Sequence, residues 1–237
     1  MGNQNMSTIA VIPARYNSSR FPGKPLVDIN GKSMIRRVYE QVQLANINKI
    51  IVATDDFRIA DEVQSFGGEF MMTSSNHLCG TDRCIEVISE LTDYSHIINI
   101  QGDEPFIDPE QIKQIDYHFR MNEDASIVTL AKKLDDMSQL QNPNCVKVSF
   151  NQENIATSFD RIIEPSDKDI YKHIGIYGFK TDILLELGRL AVSDNEKKLQ
   201  LEQLRWADNG FSITVLPTIY ESISIDTPED LKKISSN

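Results

Sequence analysis

Positive charge is scarce in this chain. Twenty-four Lys and Arg stand against 35 Asp and Glu, giving a formal net charge of −11. So acidic a surface opposes non-specific binding of nucleic acid, and no nucleic-acid partner is expected. Long apolar runs are also missing, so no stretch has the length of a membrane span and no membrane insertion is expected. The opening MGNQNMSTIAVIP lacks the charged end, long apolar middle and cleavage site of a secretory leader, which points to a cytoplasmic location. Cysteine is limited to Cys79, Cys84 and Cys145, odd in number and without metal-ligand spacing; these read as buried or bystander thiols. No G-x-G-x-x-G follows the first apolar run, which excludes a dinucleotide-binding oxidoreductase.

Against that acidic background, one basic segment stands out. The run Ile9-Ala10-Val11-Ile12 reads as a buried strand, and the loop IPARYNSSRFPGKPL follows it with Arg15, Arg20 and Lys24 inside ten residues. Pro13, Pro22, Gly23 and Pro25 keep that segment from being helical. A loop at the carboxyl end of a first strand is where open α/β sheets bind ligands. Three cations there suit a polyphosphate. With a single glycine in the loop, side-chain cations rather than backbone amides would carry the binding. A plain basic surface loop has the same composition, so the segment alone does not decide.

Downstream, short apolar strands alternate with helix-period segments. Ser33–Asn46 reads as a helix capped by Ser33, with Met34, Ile35, Val38, Val42 and Ala45 along one stripe. Strands follow at Lys49–Thr54, Glu69–Thr73, His96–Gln101 and Ser126–Ala131. They are separated by helices over about Phe57–Phe66, Asp82–Leu91 and the turns after Pro109. This succession predicts an α/β fold: a Rossmann-like, mainly parallel sheet with helices on both faces. Beyond Leu134 the rhythm changes to longer strands at Val146–Phe150, Ile155–Phe159 and Tyr171–Phe179, an antiparallel excursion. Helices at about Thr181–Leu190 and Lys198–Asn209, a strand Ser212–Leu216 and a helix opening at Pro228 complete the chain. Residues 1–237 read as one domain with a β-rich insertion at about 135–180.

Two acidic segments carry further chemistry. Gln101-Gly102-Asp103-Glu104-Pro105 follows a strand directly, where carboxylates beside a phosphate loop can hold Mg²⁺, a hard cation favouring oxygen ligands. An acidic turn capping a helix is the bland alternative. In Ile225-Asp226-Thr227-Pro228-Glu229-Asp230-Leu231, Thr227 fits an N-cap and Asp230 its capping-box partner. That leaves Asp226 without a local role, and a second metal ligand is the sharper reading.

Taken together, PARYNSSRFPGKPL, VATDD, GTDR (Gly80–Arg83), NIQGDEPFI, HIGIYGF (His173–Phe179), LEQLR (Leu201–Arg205) and IDTPEDL resemble the CMP-Kdo synthetases, the 3-deoxy-manno-octulosonate cytidylyltransferases. The likeness runs from Ile9 to about Leu231. It implies a nucleotide-diphospho-sugar transferase type of fold and a reaction in which CTP and a 3-deoxy-2-ulosonic acid give the CMP-sugar and pyrophosphate, for lipopolysaccharide or capsule synthesis. It further implies that Arg15 and Lys24 neutralise the triphosphate, that Ser18 and Arg20 help close the loop, and that Arg83 and Gln101 face the nucleotide. Asp103 and Asp226 match the family's magnesium ligands, with Arg15, Lys24 and Asp103 as the catalytic set. Arg161, His173, Tyr177 and Gln203 match the acceptor pocket, where a sugar carboxylate suits an arginine and ring hydroxyls suit the others. Each also has an ordinary structural reading: His173 and Tyr177 as strand side chains, Glu202 and Arg205 as helix-surface charges, Trp206 as packing. The resemblance also implies a homodimer formed through the insertion.

Departures from the family pattern gather on the sugar side. Asp160 precedes Arg161 where the family usually has Ser, Glu164 adds a second acid, and Cys79 replaces a Ser before GTDR. An acceptor with a positive group, such as an 8-amino analogue of Kdo, is the expectation these acids raise. A sialic-acid-like or phosphonate acceptor, or a non-catalytic nucleotide-binding relative, are the remaining alternatives.

Overall fold

The computed structural model describes residues 7–17, 21–165 and 169–235. Its core is built on β1 (Thr8–Ala14), in which Ile9, Ala10, Val11 and Ile12 are all fully buried. Strand alternation sends Ala10 and Ile12 to one face and Ile9 and Val11 to the other, so both faces must be covered.

After β1 the chain makes the basic loop and a small hairpin, β2 (Asp28–Ile29) and β3 (Lys32–Ser33). Helix α1 (Met34–Leu44) begins where the Ser33 hydroxyl accepts the Arg36 amide, as the sequence predicts. Then come β4 (Lys49–Thr54), α2 (Phe57–Ser65), β5 (Phe70–Met72), α3 (Gly80–Glu90), β6 (His96–Asn99), α4 (Pro109–Met121) and β7 (Ile127–Lys133). The excursion follows as β8 (Lys147–Phe150) and β9 (Ala156–Asp160). After it come β10 (Tyr171–Lys180), α5 (Thr181–Leu187), α6 (Asp194–Leu199), α7 (Gln203–Asp208), β11 (Ile213–Thr218) and α8 (Pro228–Ser235).

Among the described residues, nine strands join in one sheet, ordered β11-β7-β10-β6-β1-β4-β5 with β8 and β9 branching from β10. β1 pairs in parallel with both β4 and β6, whereas β10 runs antiparallel between β6 and β7. One layer of core packs Val38 and Val42 of α1 and Ile112, Ile115 and Phe119 of α4 on the sheet. The other layer packs Val87 of α3, Leu184 of α5 and Trp206 of α7. This is the mixed α/β sandwich the periodicity predicts.

β10 joins the excursion to the core of the sheet. Its first residues, Tyr171 and Lys172, pair with Val148 and Lys147 of β8, and its last four pair with β6 in the core. A register shift against β7 between Ile174 and Tyr177 separates the two parts. The sequence reading of one helix over Lys198–Asn209 is corrected. Gln200 adopts a left-handed conformation (φ 52°), which ends α6 and lets α7 start afresh at Gln203.

Candidate active site

Three adjacent parallel strands, β4, β1 and β6, end along one edge, so Asp55, Arg15 and the QGDEP loop emerge side by side. Two glycines fix this edge. Gly23 turns with φ +73° and its amide donates to the Tyr16 carbonyl at 2.9 Å, closing the loop on itself. Pro25 then starts a single 3₁₀ turn, Lys24–Leu26, that presents Lys24. Gly102 lies so close to β1 that a Cβ there would stand 2.7 Å from the Pro13 carbonyl oxygen.

Arg15, Lys24, Arg83, Gln101, Asp103 and Asp226 line one cleft. At its centre Lys24 Nζ lies 2.6 Å from Asp103 Oδ2 and 3.2 Å from Asp226 Oδ1. The two carboxylates come from opposite halves of the chain and are aligned by the backbone: the Ile225 amide donates to the Asp103 carbonyl at 2.9 Å. The capping reading of Thr227 and Asp230 holds. Asp230 Oδ2 accepts from the Thr227 amide (3.0 Å), and Thr227 Oγ1 accepts from the Asp230 amide (3.3 Å). Asp226 is thereby left facing the cleft. Ser18 and Arg20 lie outside the described residues.

Arg83 is buried against the cleft wall. Its Nη2 donates to Asp55 Oδ2 at 2.9 Å and its Nη1 to Thr73 Oγ1 at 2.6 Å. Asp55 belongs to the VATDD segment, and its position one residue past β4 was the available signal for it. Cys79 is half-buried at the start of α3, and its thiol donates to Glu202 Oε1 at 3.1 Å while Thr81 Oγ1 donates to Oε2 at 2.9 Å. Burial first, and the nearby Glu202 charge second, push the Cys79 thiol well above its ordinary range. The surface reading of Glu202 and Arg205 is corrected. Burial raises the Glu202 carboxyl, and Arg205 forms a two-pronged ion pair with Glu196 at 2.7 and 2.6 Å.

The acceptor candidates fall into two places. His173 and Tyr177 pack together, their rings 5.3 Å apart, and Trp206, on the same short helix as the buried Gln203, packs edge-on to Tyr177 at 5.0 Å; none of the three candidates lines the cleft. Thr129 Oγ1 sits 2.8 Å from the Ile176 carbonyl and 3.0 Å from His173 Nε2. The hydroxyl therefore donates to the carbonyl and accepts from a neutral imidazole protonated at Nε2. Burial pushes the His173 pKa down to about 3. Tyr177 Oη and Asn99 Oδ1, on residues paired in register across β10 and β6, are both buried with no hydrogen-bond partner among the described residues.

Arg161 is not brought to this group. Its guanidinium donates to three backbone carbonyls, Leu199 (2.5 Å), Pro143 (2.7 Å) and Gln200 (2.9 Å), and so clamps the turn after β9 to the end of α6. Asp160 lies beside it, in a separate groove with Asn195 and Leu204, and Glu164 is exposed. Of the two adjacent carboxylates in the QGDEP segment, only Asp103 lines the cleft, and Glu104 turns away from it. This side chain is buried, accepts from Ser222 Oγ at 2.6 Å, and is raised to about 7 by burial.

With this geometry in place, comparison with known proteins assigns the chain. A family described as cytidylyltransferase matches residues 9–216. A 3-deoxy-manno-octulosonate cytidylyltransferase of Parabacteroides distasonis is 48% identical, with 96% of each chain covered. One of Fusobacterium nucleatum is 43% identical over 97% of this chain and 96% of its own. Among solved structures, a CMP:2-keto-3-deoxy-manno-octonic acid synthetase complexed with CTP superposes with a TM-score of 0.92 at 37% identity, covering 97% of both chains. A 4-diphosphocytidyl-2C-methyl-D-erythritol synthase from Anaerococcus prevotii (TM-score 0.66, 16% identity, 98% of both chains) shares the fold. The cleft at the carboxyl edge of β4, β1 and β6 thus lies in a cytidylyltransferase, and the chain belongs to the 3-deoxy-manno-octulosonate cytidylyltransferase family.

Proposed function

We propose that this enzyme couples CTP to 3-deoxy-manno-octulosonate, forming the CMP-sugar and releasing pyrophosphate in the supply of lipopolysaccharide precursors. The sugar's anomeric oxygen forms a bond to the α-phosphorus as the bond to the β-phosphate oxygen breaks. The observation that carries the reading is Lys24 set between Asp103 and Asp226 in a cleft that also holds Arg15, Arg83 and Gln101. Such a reaction needs positioning and charge neutralisation more than a protein nucleophile.

Arg15 and Lys24 bind and neutralise the triphosphate, and Ser18 and Arg20 complete the loop around it. Arg83, held rigid by Asp55 and Thr73, faces the nucleotide together with Gln101. Asp103 and Asp226 hold Mg²⁺. The donor set fits this: Asp103 and Asp226 turn carboxylate oxygens toward one point in the cleft, 2.6 and 3.2 Å from Lys24 Nζ, and Mg²⁺ characteristically uses one or two carboxylates plus substrate phosphates and water. When bound, the ion supplies Lewis-acid stabilisation of the charge that develops on the phosphoryl oxygens. His173, Tyr177 and Gln203 bind the sugar acid. The two unpartnered polar atoms, Tyr177 Oη and Asn99 Oδ1, support a hydroxylated ligand there. Arg161 joins this pocket if substrate draws it from its three carbonyls.

The enzyme works as a homodimer built through the β8–β9 excursion and is cytoplasmic. No helix among the described residues is long and apolar enough to cross a membrane. The test is pyrophosphate release with CTP and Mg²⁺, offered Kdo, its 8-amino analogue and a sialic acid in parallel, with sedimentation for the oligomeric state. Release with Kdo supports the assignment. Release with sialic acid alone overturns the sugar pocket while leaving the nucleotide site intact.

A further inference from the structure

The segment between β11 and α8 has no regular secondary structure, yet it carries Asp226 to the cleft. Apolar packing does little for its first half, since Ile219 is 82% and Ile223 is 51% exposed. Only at Ile225, fully buried against Ile29, Met34 and Phe106, does it enter a core. What fastens the earlier residues is polar. Gln111 Nε2 donates to the Tyr220 carbonyl at 3.3 Å, and Glu221 is paired with Lys132 and Lys172 at 2.9 and 2.5 Å. Ser222 Oγ donates to Glu104 Oε2 at 2.6 Å.

The last of these differs from the others in where it lands. Gln111, Lys132 and Lys172 tie the segment to α4, β7 and β10, whereas Glu104 is the neighbour of Asp103. Glu104 and Ser222 are 8% and 7% exposed, and a hydrogen bond to a carboxylate away from water is strong and directional. Together with the Ile225 amide on the Asp103 carbonyl, it makes two fastenings between the segment bearing Asp226 and the loop bearing Asp103. Neither Glu104 nor Ser222 lines the cleft that holds Asp103 and Asp226.

We propose that Glu104 and Ser222 are a positioning pair, whose side-chain hydrogen bond holds Asp226 at the separation from Asp103 that divalent metal binding requires. The proposal rests on the reading of Asp103 and Asp226 as metal ligands. Outer partners of this kind commonly set metal affinity over one to two orders of magnitude without contacting the ion.

The experiment measures by calorimetry the factor by which Mg²⁺ tightens CTP binding, alongside hydrogen exchange at Ile225 without ligands. In Ser222→Ala the Mg²⁺ factor falls about tenfold, CTP binding without metal is unchanged, and the Ile225 amide exchanges faster. Ser222→Thr and Glu104→Gln, which keep a donor and an acceptor, retain the wild-type factor, whereas Glu104→Leu behaves like Ser222→Ala. A plain packing role would lower the melting temperature and leave the Mg²⁺ factor alone. Asp226→Asn separates the two ideas. Loss of the factor in Asp226→Asn with full retention in Ser222→Ala overturns the positioning pair only. Retention in both removes the metal site and the pair with it.

Discussion

Cys79 donates its thiol hydrogen to Glu202 across 3.1 Å, joining the first turn of α3, which lines the nucleotide cleft, to the residue before Gln203. One carboxylate thus fastens the segment before α7 to the start of α3. Glu202→Ala leaves Cys79 and Thr81 without an acceptor and should cost about 1–3 kcal/mol of stability, with KM rising for both substrates. The thiol, held protonated, should react with iodoacetamide at neutral pH far more slowly than the same thiol in urea. Equal rates in the folded and unfolded protein would contradict the buried, carboxylate-bound thiol.

Removing charge from the centre of the cleft should separate chemistry from binding. Asp103→Asn is expected to lower kcat by about a hundredfold or more with an unchanged circular dichroism spectrum. Lys24→Met should act chiefly on the KM for CTP if, as proposed, its ammonium binds the triphosphate. Wild-type kinetics for Asp103→Asn at saturating Mg²⁺ would take Asp103 out of the metal site.

Gly102 is a steric requirement. An alanine there would bring its Cβ to 2.7 Å from the Pro13 carbonyl oxygen, and because the clash is with backbone no rotamer relieves it. Gly102→Ala should cost about 1–3 kcal/mol and shift Asp103 away from Lys24, so melting temperature and turnover fall together. A stable variant with full activity would show that the loop and β1 can separate freely.

Two histidines, buried His96 and half-buried His173, should weaken the fold in acid. Burial lowers both His96 and His173 below the ordinary histidine value, His173 to about 3. His173 is neutral in the folded protein at pH 5, and both histidines take a proton more readily in the unfolded chain, where the ordinary value is about 6.5. Below that point the unfolded state binds more protons, so stability falls with pH. For His173 the loss by pH 5 is about 2 kcal/mol. Glu104, raised to about 7, acts with the opposite sign, favouring the folded state as pH falls from 7. Comparing wild type with His173→Asn in urea at pH 7 and pH 5 isolates the histidine. The stability gap between the two should narrow or reverse at pH 5, and a constant gap would refute the neutral imidazole.

Arg161 has two candidate duties with different signatures. As the clamp seen here, its replacement by Ala leaves three carbonyls without donors and should cost about 2–3 kcal/mol, read as a lower urea midpoint. As a sugar-acid ligand, its loss should raise the KM for the sugar while leaving that midpoint in place.

Much of the fold was legible because it is written locally. The alternation of Ile9 to Ile12, the Ser33 cap and the Thr227–Asp230 box each involve neighbours a few residues apart, and the structure has them as read. The break at Gln200 was not legible, since nothing in LQLEQLR but a left-handed backbone at a non-glycine residue marks it. Glu202 looked like a surface charge because helical spacing reports only its own helix, whereas its partners Cys79 and Thr81 come from α3. The closeness of Asp103 and Asp226 was likewise beyond spacing, although Asp226 could be singled out once Thr227 and Asp230 were accounted for. Arg161 shows the converse case: matching a motif gave it a role, and only coordinates reveal the three carbonyls it holds.

The ammonium of Lys24 between two carboxylates makes a closed circuit of the cleft, with its own built-in counter-ion. Filling it is therefore an exchange of partners and not a simple addition. A free divalent ion must compete with a tethered cation that never diffuses away. A triphosphate offers that cation a new anion and so vacates the carboxylates in the same event. Nucleotide and metal should accordingly arrive as a pair, with divalent ions alone held weakly. On the roles proposed above, the lysine would couple the arrival of nucleotide to that of metal before any chemistry begins.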